Sequence, residues 1–241
     1  GEGKTTSAFG LLVQAKQRGI PFIVFESGSK TEYRVLKCLA QHKDPSLRRF
    51  GAELQIYTPG SDISPFRFNP MELLDGVSKD KHIDTLVACF AAAFPMQGSM
   101  SAILGEALEH IYWRFEAKGR VPRLADLIAS VRSVLAAKGY SGDVDSDFRA
   151  MSDARLGTLT RRGIGSVLQC SESTPTVDQL LTGESVIELA SLPADQACLL
   201  TLLLLTVVWE RVQTMPWAGS GTRLLILLEE AHNIVGRNTR E

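Results

Sequence analysis

An α/β fold is what this sequence predicts, a parallel-sheet core interrupted by a block of helices. Three observations carry that expectation. The chain opens on a glycine-bearing loop, Gly1-Glu2-Gly3-Lys4-Thr5-Thr6, that feeds a helix-forming stretch. It nearly closes on Leu224-Leu225-Ile226-Leu227-Leu228, large apolar residues ended by Glu229-Glu230. Between Lys79 and about Gln169 the texture is helical. Strand–helix alternation around a helical block reads as an α/β core with an inserted α subdomain.

The opening loop has a physical logic. Glycines let a backbone approach phosphates closely and adopt angles that a Cβ forbids. In a full P-loop, G-x-x-x-x-G-K-[ST], the backbone N–H groups wrap a phosphate at a helix N-terminus. Gly3, Lys4 and Thr5 fit its last three positions. The first glycine and the strand feeding it would precede Gly1, so the sheet is expected to be a fragment lacking its first strand, and to bind ATP weakly in this form. Lys4 is placed to reach the β- and γ-phosphates, and the Thr5 hydroxyl to hold Mg²⁺. Gly1, Gly3, Lys4, Thr5 and Thr6 are thus the expected nucleotide-binding residues, with ATP and Mg²⁺ as ligands.

The elements follow in order. Ser7 to Lys16 reads as a helix stopped by Gly19, and Ile20 to Glu26 as a strand rich in β-branched and aromatic residues. Glu32 to His42 suggests a helix, and Glu53 to Thr58 a strand ended by Pro59-Gly60. Asp84 to Phe94, Met100 to Lys118 and Leu124 to Lys138 are helices stopped by Pro95, Gly119 and Gly139. Asp147 to Thr160 carries a less regular fourth. The Gly-, Ser- and Asp-rich loop Gly139 to Asp147 is the expected mobile segment.

Ser185 to Leu189 returns to strand character, and Ala194 to Val212 is a long apolar helix. Its most apolar run, Cys198 to Trp209, makes only about 18 Å of helix against a hydrocarbon core of about 30 Å. It is expected to be buried on the sheet, with no membrane insertion. The domain organisation expected is an ATPase core in two parts, residues 1–78 and 171–241, around a helical insertion at 79–170.

The closing strand completes the chemistry. An apolar run bounded by Gly219-Ser220-Gly221 and two carboxylates reads as a strand buried on both faces of a parallel sheet. Carboxylates at its end sit where open α/β sheets bind ligands. Glu229 is expected to support Mg²⁺ through water, and Glu230 to orient and deprotonate the attacking water. The expected catalytic set is Lys4, Glu229 and Glu230; the metal set is Thr5 and Glu229.

Glu229-Glu230-Ala231-His232-Asn233 after an apolar strand resembles the Walker B motif of the HerA/FtsK superfamily of ring ATPases. Gly19 to Glu26 followed by Lys30-Thr31-Glu32-Tyr33 is similar to that family's second strand and its following loop. Phe66 to Leu73, with Asn69-Pro70, is similar to its Asn-Pro segment. Glu26 departs from the family, where Asp is more usual; Glu229 is a frequent variant there. The resemblance implies a RecA-like P-loop NTPase core and a homo-hexameric ring that hydrolyses ATP weakly as single subunits. It implies a HerA-like DNA translocase or helicase acting on double-stranded DNA, with a nuclease partner. The alternative within the family is a conjugation or type IV secretion ATPase with a channel partner. A non-catalytic, nucleotide-gated scaffold is the alternative of another class, and Glu230 argues against it. DEAH-box helicases also follow an acidic pair with Ala-His, but their two ATP motifs lie closer than Lys4 and Glu229, about 225 residues apart here.

Composition bounds the rest. With 241 residues, 44% hydrophobic and 22% charged, the chain can bury a core. A net charge of −1 excludes a strongly basic nucleic-acid binder but not a ring that grips DNA with a few residues. Cys38, Cys89, Cys170 and Cys198 are scattered, which suggests reduced, mostly buried thiols in a cytoplasmic protein. The four histidines form no metal-ligand spacing; His232 either senses phosphate or packs beside Glu230. Arg161-Arg162 reads as a solvated pair, the alternative being a phosphate contact.

Overall fold

The computed structural model describes residues 3–27, 31–94, 100–139, 152–216 and 221–231. In chain order the elements are α1 (Lys4–Gln17), β1 (Phe22–Glu26), a 3₁₀ helix (Glu32–Gln41), α2 (Pro45–Glu53) and β2 (Gln55–Tyr57). Then come α3 (Lys79–Ala93), α4 (Met100–Glu116), α5 (Leu124–Lys138), a π turn (Ser152–Leu156) and a 3₁₀ turn (Gly157–Thr160). Last are α6 (Arg162–Leu168), α7 (Val177–Thr182), β3 (Glu184–Glu188), α8 (Ala194–Thr214) and β4 (Leu225–Leu228). The chain divides into two compact units. The first is Gly1–Phe66, Pro175–Pro193 and Pro216–Glu241; the second is Arg67–Thr174 and Ala194–Met215.

The first unit holds a parallel sheet of order β2-β3-β1-β4. β1 lies between β3 and β4, with Phe22 opposite Glu184 on one side and Leu225 on the other. All five of its residues are buried, which is why Phe-Ile-Val-Phe shows no alternation. α1 ends as its sequence dictates. Gly19 takes the left-handed conformation (φ 67°), and the N–H groups of Gly19 and Ile20 return to Lys16 and Ala15. Leu12 and Ala15 of α1 meet Phe22, Val24, Tyr33, Phe50 and Val186 in one apolar core.

Two elements here differ from expectation. Glu32–Gln41 winds as a 3₁₀ helix because Tyr33, Leu36 and Leu39 recur every third residue, the period that stacks side chains on one face of that helix. β4 was expected to be buried on both faces. Its residues are instead half-buried, with Ile226 37% exposed, and among described residues it pairs only with β1. The strands flanked on both sides are β1 and β3.

The second unit is helical. α4 packs on α5 and α3, and α3 packs on α8. α8 is longer than its apolar run suggests. Its 21 residues make about 31 Å, enough by length and composition alone to cross a membrane. Within this second unit it packs against α3, burying Leu199, Leu200, Leu203, Leu204, Val207 and Val208. Buried Glu210 then meets buried His82 of α3, with Nδ1 and Oε2 2.7 Å apart. A core helix is the reading these contacts support.

The Asn-Pro segment is a staple of this unit. Buried Asn69 donates its amide to the carbonyls of Pro122 and Ser171, both at 3.0 Å, and accepts the Met71 N–H at 3.0 Å. Each polar group of that side chain is satisfied, as burial demands. Arg161, Arg162 and Arg155 are exposed. All four cysteines are free; Cys89 and Cys170 are buried, but Cys38 is on the surface.

Candidate nucleotide site

Because the strands run parallel, their carboxyl ends share one edge, and the sequence places a glutamate on three of them. Glu26 ends β1, Glu188 ends β3 in register with it, and Glu229 follows β4 with its N–H bound to the Phe25 carbonyl at 3.0 Å. Three adjacent carboxylates repel, so each needs a compensating group. Glu188 is fully buried and accepts from Arg34 Nε and Nη2, both at 2.6 Å, and from the Thr58 hydroxyl at 2.9 Å. Glu229 accepts the Tyr33 hydroxyl at 2.6 Å, while Ser27 donates to its backbone carbonyl at 2.7 Å.

Glu26 is the exception. Its Oε1 accepts the Glu32 N–H at 2.6 Å, and its Oε2 is buried with no hydrogen-bond partner among the described residues. Burial pushes its carboxyl up to about 7; the charges of Glu188 and Glu229 add to this and the backbone N–H donation opposes it. Tyr33 is fully buried, and its hydroxyl is held far above the ordinary phenol range, first by burial and then by its bond to Glu229.

α1 supplies the other half of the site. Gly3 is its N-cap, with no side-chain cap and no acidic residue in the first turn, so its N–H groups are left for an anion. A Cβ at Gly3 would meet nothing within 4 Å among the described residues. Lys4 and Thr6 are exposed, and Thr5 is half-buried with its hydroxyl donating to Glu32 Oε2 at 2.7 Å. Glu230 is exposed at a positive φ of 51°, in the turn that follows β4. Gly1 and His232 lie outside the described residues.

Thr5 and Glu229, the two residues expected to support Mg²⁺, are therefore bonded to consecutive residues, Glu32 and Tyr33. Among described residues no group of three or more His, Cys, Asp or Glu side chains forms a cage for a metal ion. Mg²⁺ at a nucleotide takes one or two protein oxygens and completes its shell with water and phosphate. The residues present fit a magnesium–nucleotide: an uncapped helix start bearing a lysine and a threonine, and a carboxylate held at the neighbouring strand ends.

Glu32 and Tyr33, read in the sequence only as part of a family-like loop, bond with Arg34 in turn to Thr5, Glu229 and Glu188, contacts the sequence did not assign. The available signal was a buried strand ending in Glu188, which requires a cationic partner.

No family model matches the chain, and no curated protein matches it in sequence. Among solved structures it is similar to VirB4 of Thermoanaerobacter pseudethanolicus, with a TM-score of 0.59 and 15% identity over 96% of this chain and 82% of that one. The likeness is one of fold: the four-stranded parallel sheet and its helices share the α/β architecture of that structure.

Proposed function

We propose that this chain is the ATP-hydrolysing motor domain of a conjugation- or secretion-type ATPase. The observation that carries the reading is the fold it shares with VirB4, a type IV secretion ATPase, along 96% of its length. The placement of the expected site residues supports it: Thr5 at the open start of α1 and Glu229 at the end of β4 are tied to one dipeptide.

In this reading the N–H groups at the start of α1, from Gly3 through Thr6, hold the phosphates, with Gly1 ahead of them. Lys4 would neutralise the β- and γ-phosphates, and Thr5 and Glu229 would hold Mg²⁺. Bound Mg²⁺ supplies charge neutralisation at the γ-phosphate. Glu230 accepts a proton from the attacking water. The water oxygen bonds to the γ-phosphorus, the bond to the bridging oxygen breaks, and the electron pair leaves with ADP. The assembly proposed is a homo-hexamer on the cytoplasmic side of a channel partner, moving protein or a DNA–protein complex.

A HerA-like translocase of double-stranded DNA, with a nuclease partner, is the second reading. It draws on the Glu229-Glu230-Ala231-His232 sequence. Hydrolysis by the full-length protein, measured with and without double-stranded DNA, separates the two. Turnover indifferent to DNA is expected for the secretion reading, and DNA stimulation lost in Lys4→Ala and Glu230→Gln would favour the translocase. No turnover under ring-forming conditions would leave the nucleotide-gated scaffold.

A further inference from the structure

We infer that Glu32 and Tyr33 are positioning residues that orient the two metal-supporting groups from one rigid dipeptide, Glu32 acting on Thr5 and Tyr33 on Glu229. The inference rests on the ATPase reading above and assigns residues that reading does not use.

A threonine hydroxyl has one donor hydrogen and two lone pairs. With the Thr5 O–H committed to Glu32 Oε2 at 2.7 Å, its lone pairs are directed elsewhere and are free to meet a cation. The carboxylate acceptor also makes the hydroxyl oxygen a better ligand, as outer-shell partners do at metal sites. Tyr33 does the complementary task. Its hydroxyl occupies Oε1 of Glu229 at 2.6 Å, fixing the plane of that carboxylate and leaving Oε2 to accept from a metal-bound water.

The dipeptide is itself held. The Glu32 N–H is bound by Glu26 Oε1 at 2.6 Å. Tyr33 is fully buried, and its ring meets that of Phe9 edge-on, with centroids 5.3 Å apart at 77°. Phe9 belongs to α1, so one side chain packs on the helix that carries Thr5 and bonds to the carboxylate that follows β4. Neither residue needs to touch nucleotide to set the metal geometry.

The test is binding of a fluorescent ATP analogue to the full-length protein, in chelator and across a Mg²⁺ series, for wild type, Tyr33→Phe, Glu32→Ala and Glu32→Gln. Metal-free affinity should stay within about twofold of wild type, while the Mg²⁺ concentration for half of the metal-dependent gain rises about 10- to 100-fold in Tyr33→Phe and Glu32→Ala. Glu32→Gln should shift it less, because its amide oxygen still accepts the Thr5 hydroxyl. An unchanged Mg²⁺ midpoint overturns the inference, and so does equal loss of metal-free and metal-dependent binding, which is what a purely structural role produces. Wild-type protein that binds no nucleotide, or binds it as well after Lys4→Ala, defeats the ATPase reading and this inference with it. Normal wild-type binding with unaffected variants defeats the inference alone.

Discussion

Arg34 grips Glu188 with two parallel donors, Nε to Oε1 and Nη2 to Oε2, each at 2.6 Å. Glu188 is fully buried at the end of β3, beside Glu26, whereas the Arg34 side chain is about half exposed. The bond therefore neutralises a carboxylate that the fold has already removed from water. Arg34→Ala leaves Thr58 as its one remaining side-chain donor among the described residues. Breaking a buried pair costs about 3–5 kcal/mol; discounted for the exposed partner, a loss of about 2–3 kcal/mol is expected by urea denaturation. Arg34→Lys should recover only part of it, since an ammonium cannot make the paired contact.

Stability should also depend on pH through Glu26. Its folded pKa is raised to about 7 from 4.5, mainly by burial. Between those values the folded chain binds a proton that the unfolded chain releases. The contribution is therefore full below about 4.5 and is lost as pH rises through 7. Glu26→Gln keeps an acceptor for the Glu32 N–H and carries no charge. Its urea midpoint should exceed that of wild type at about pH 8 and match it near pH 4. Equal differences at both pH values would show that Glu26 does not titrate in this window.

In the helical unit, His82 and Glu210 form the analogous buried pair. His82 Nε2 lies 3.1 Å from the Pro70 carbonyl, which can only accept, so Nε2 carries hydrogen and Nδ1 shares a proton with Glu210. His82→Leu strands the carboxylate and should cost about 3 kcal/mol. The double change His82→Leu/Glu210→Leu should recover much of that, and a double-mutant cycle by chemical denaturation measures how much.

Gly51 of α2 tests the seating of the 3₁₀ helix. A Cβ there would lie 2.2 Å from the Ala40 nitrogen and 2.6 Å from the Leu39 carbonyl carbon, both backbone atoms of that helix. Gly51→Ala should therefore destabilise by about 2–3 kcal/mol, at the upper end of overpacking costs, as read from its thermal midpoint.

α1 and β4 were legible because each is a local pattern: a glycine-bearing loop opening a helix, and apolar residues ended by acids. α5 was legible to the residue, Leu124–Lys138, since Gly139 supplies its left-handed stop (φ 63°). α2 was not read, although Asp44-Pro45 spells an N-cap with proline at the first helical position, and the Asp44 carboxylate does cap Ser46 and Leu47. α8 was legible only as a buried helix, because its apolar run says no more than that. Its partner is set by Glu210 meeting His82 across 128 residues of sequence, which no local pattern reveals. The Glu32-Tyr33-Arg34 contacts were hidden for the same reason; each bond joins residues far apart in sequence.

In the proposed function, the start of α1 and the end of β4 form one hydrolytic ATP site. The most direct measurement is ATP binding and turnover by the full-length protein beside Lys4→Ala and Glu230→Gln. Wild type should bind and turn over ATP, Lys4→Ala should lose both, and Glu230→Gln should keep binding while turnover falls at least about 100-fold. Wild-type turnover that survives Glu230→Gln, or binding untouched by Lys4→Ala, would contradict that proposal.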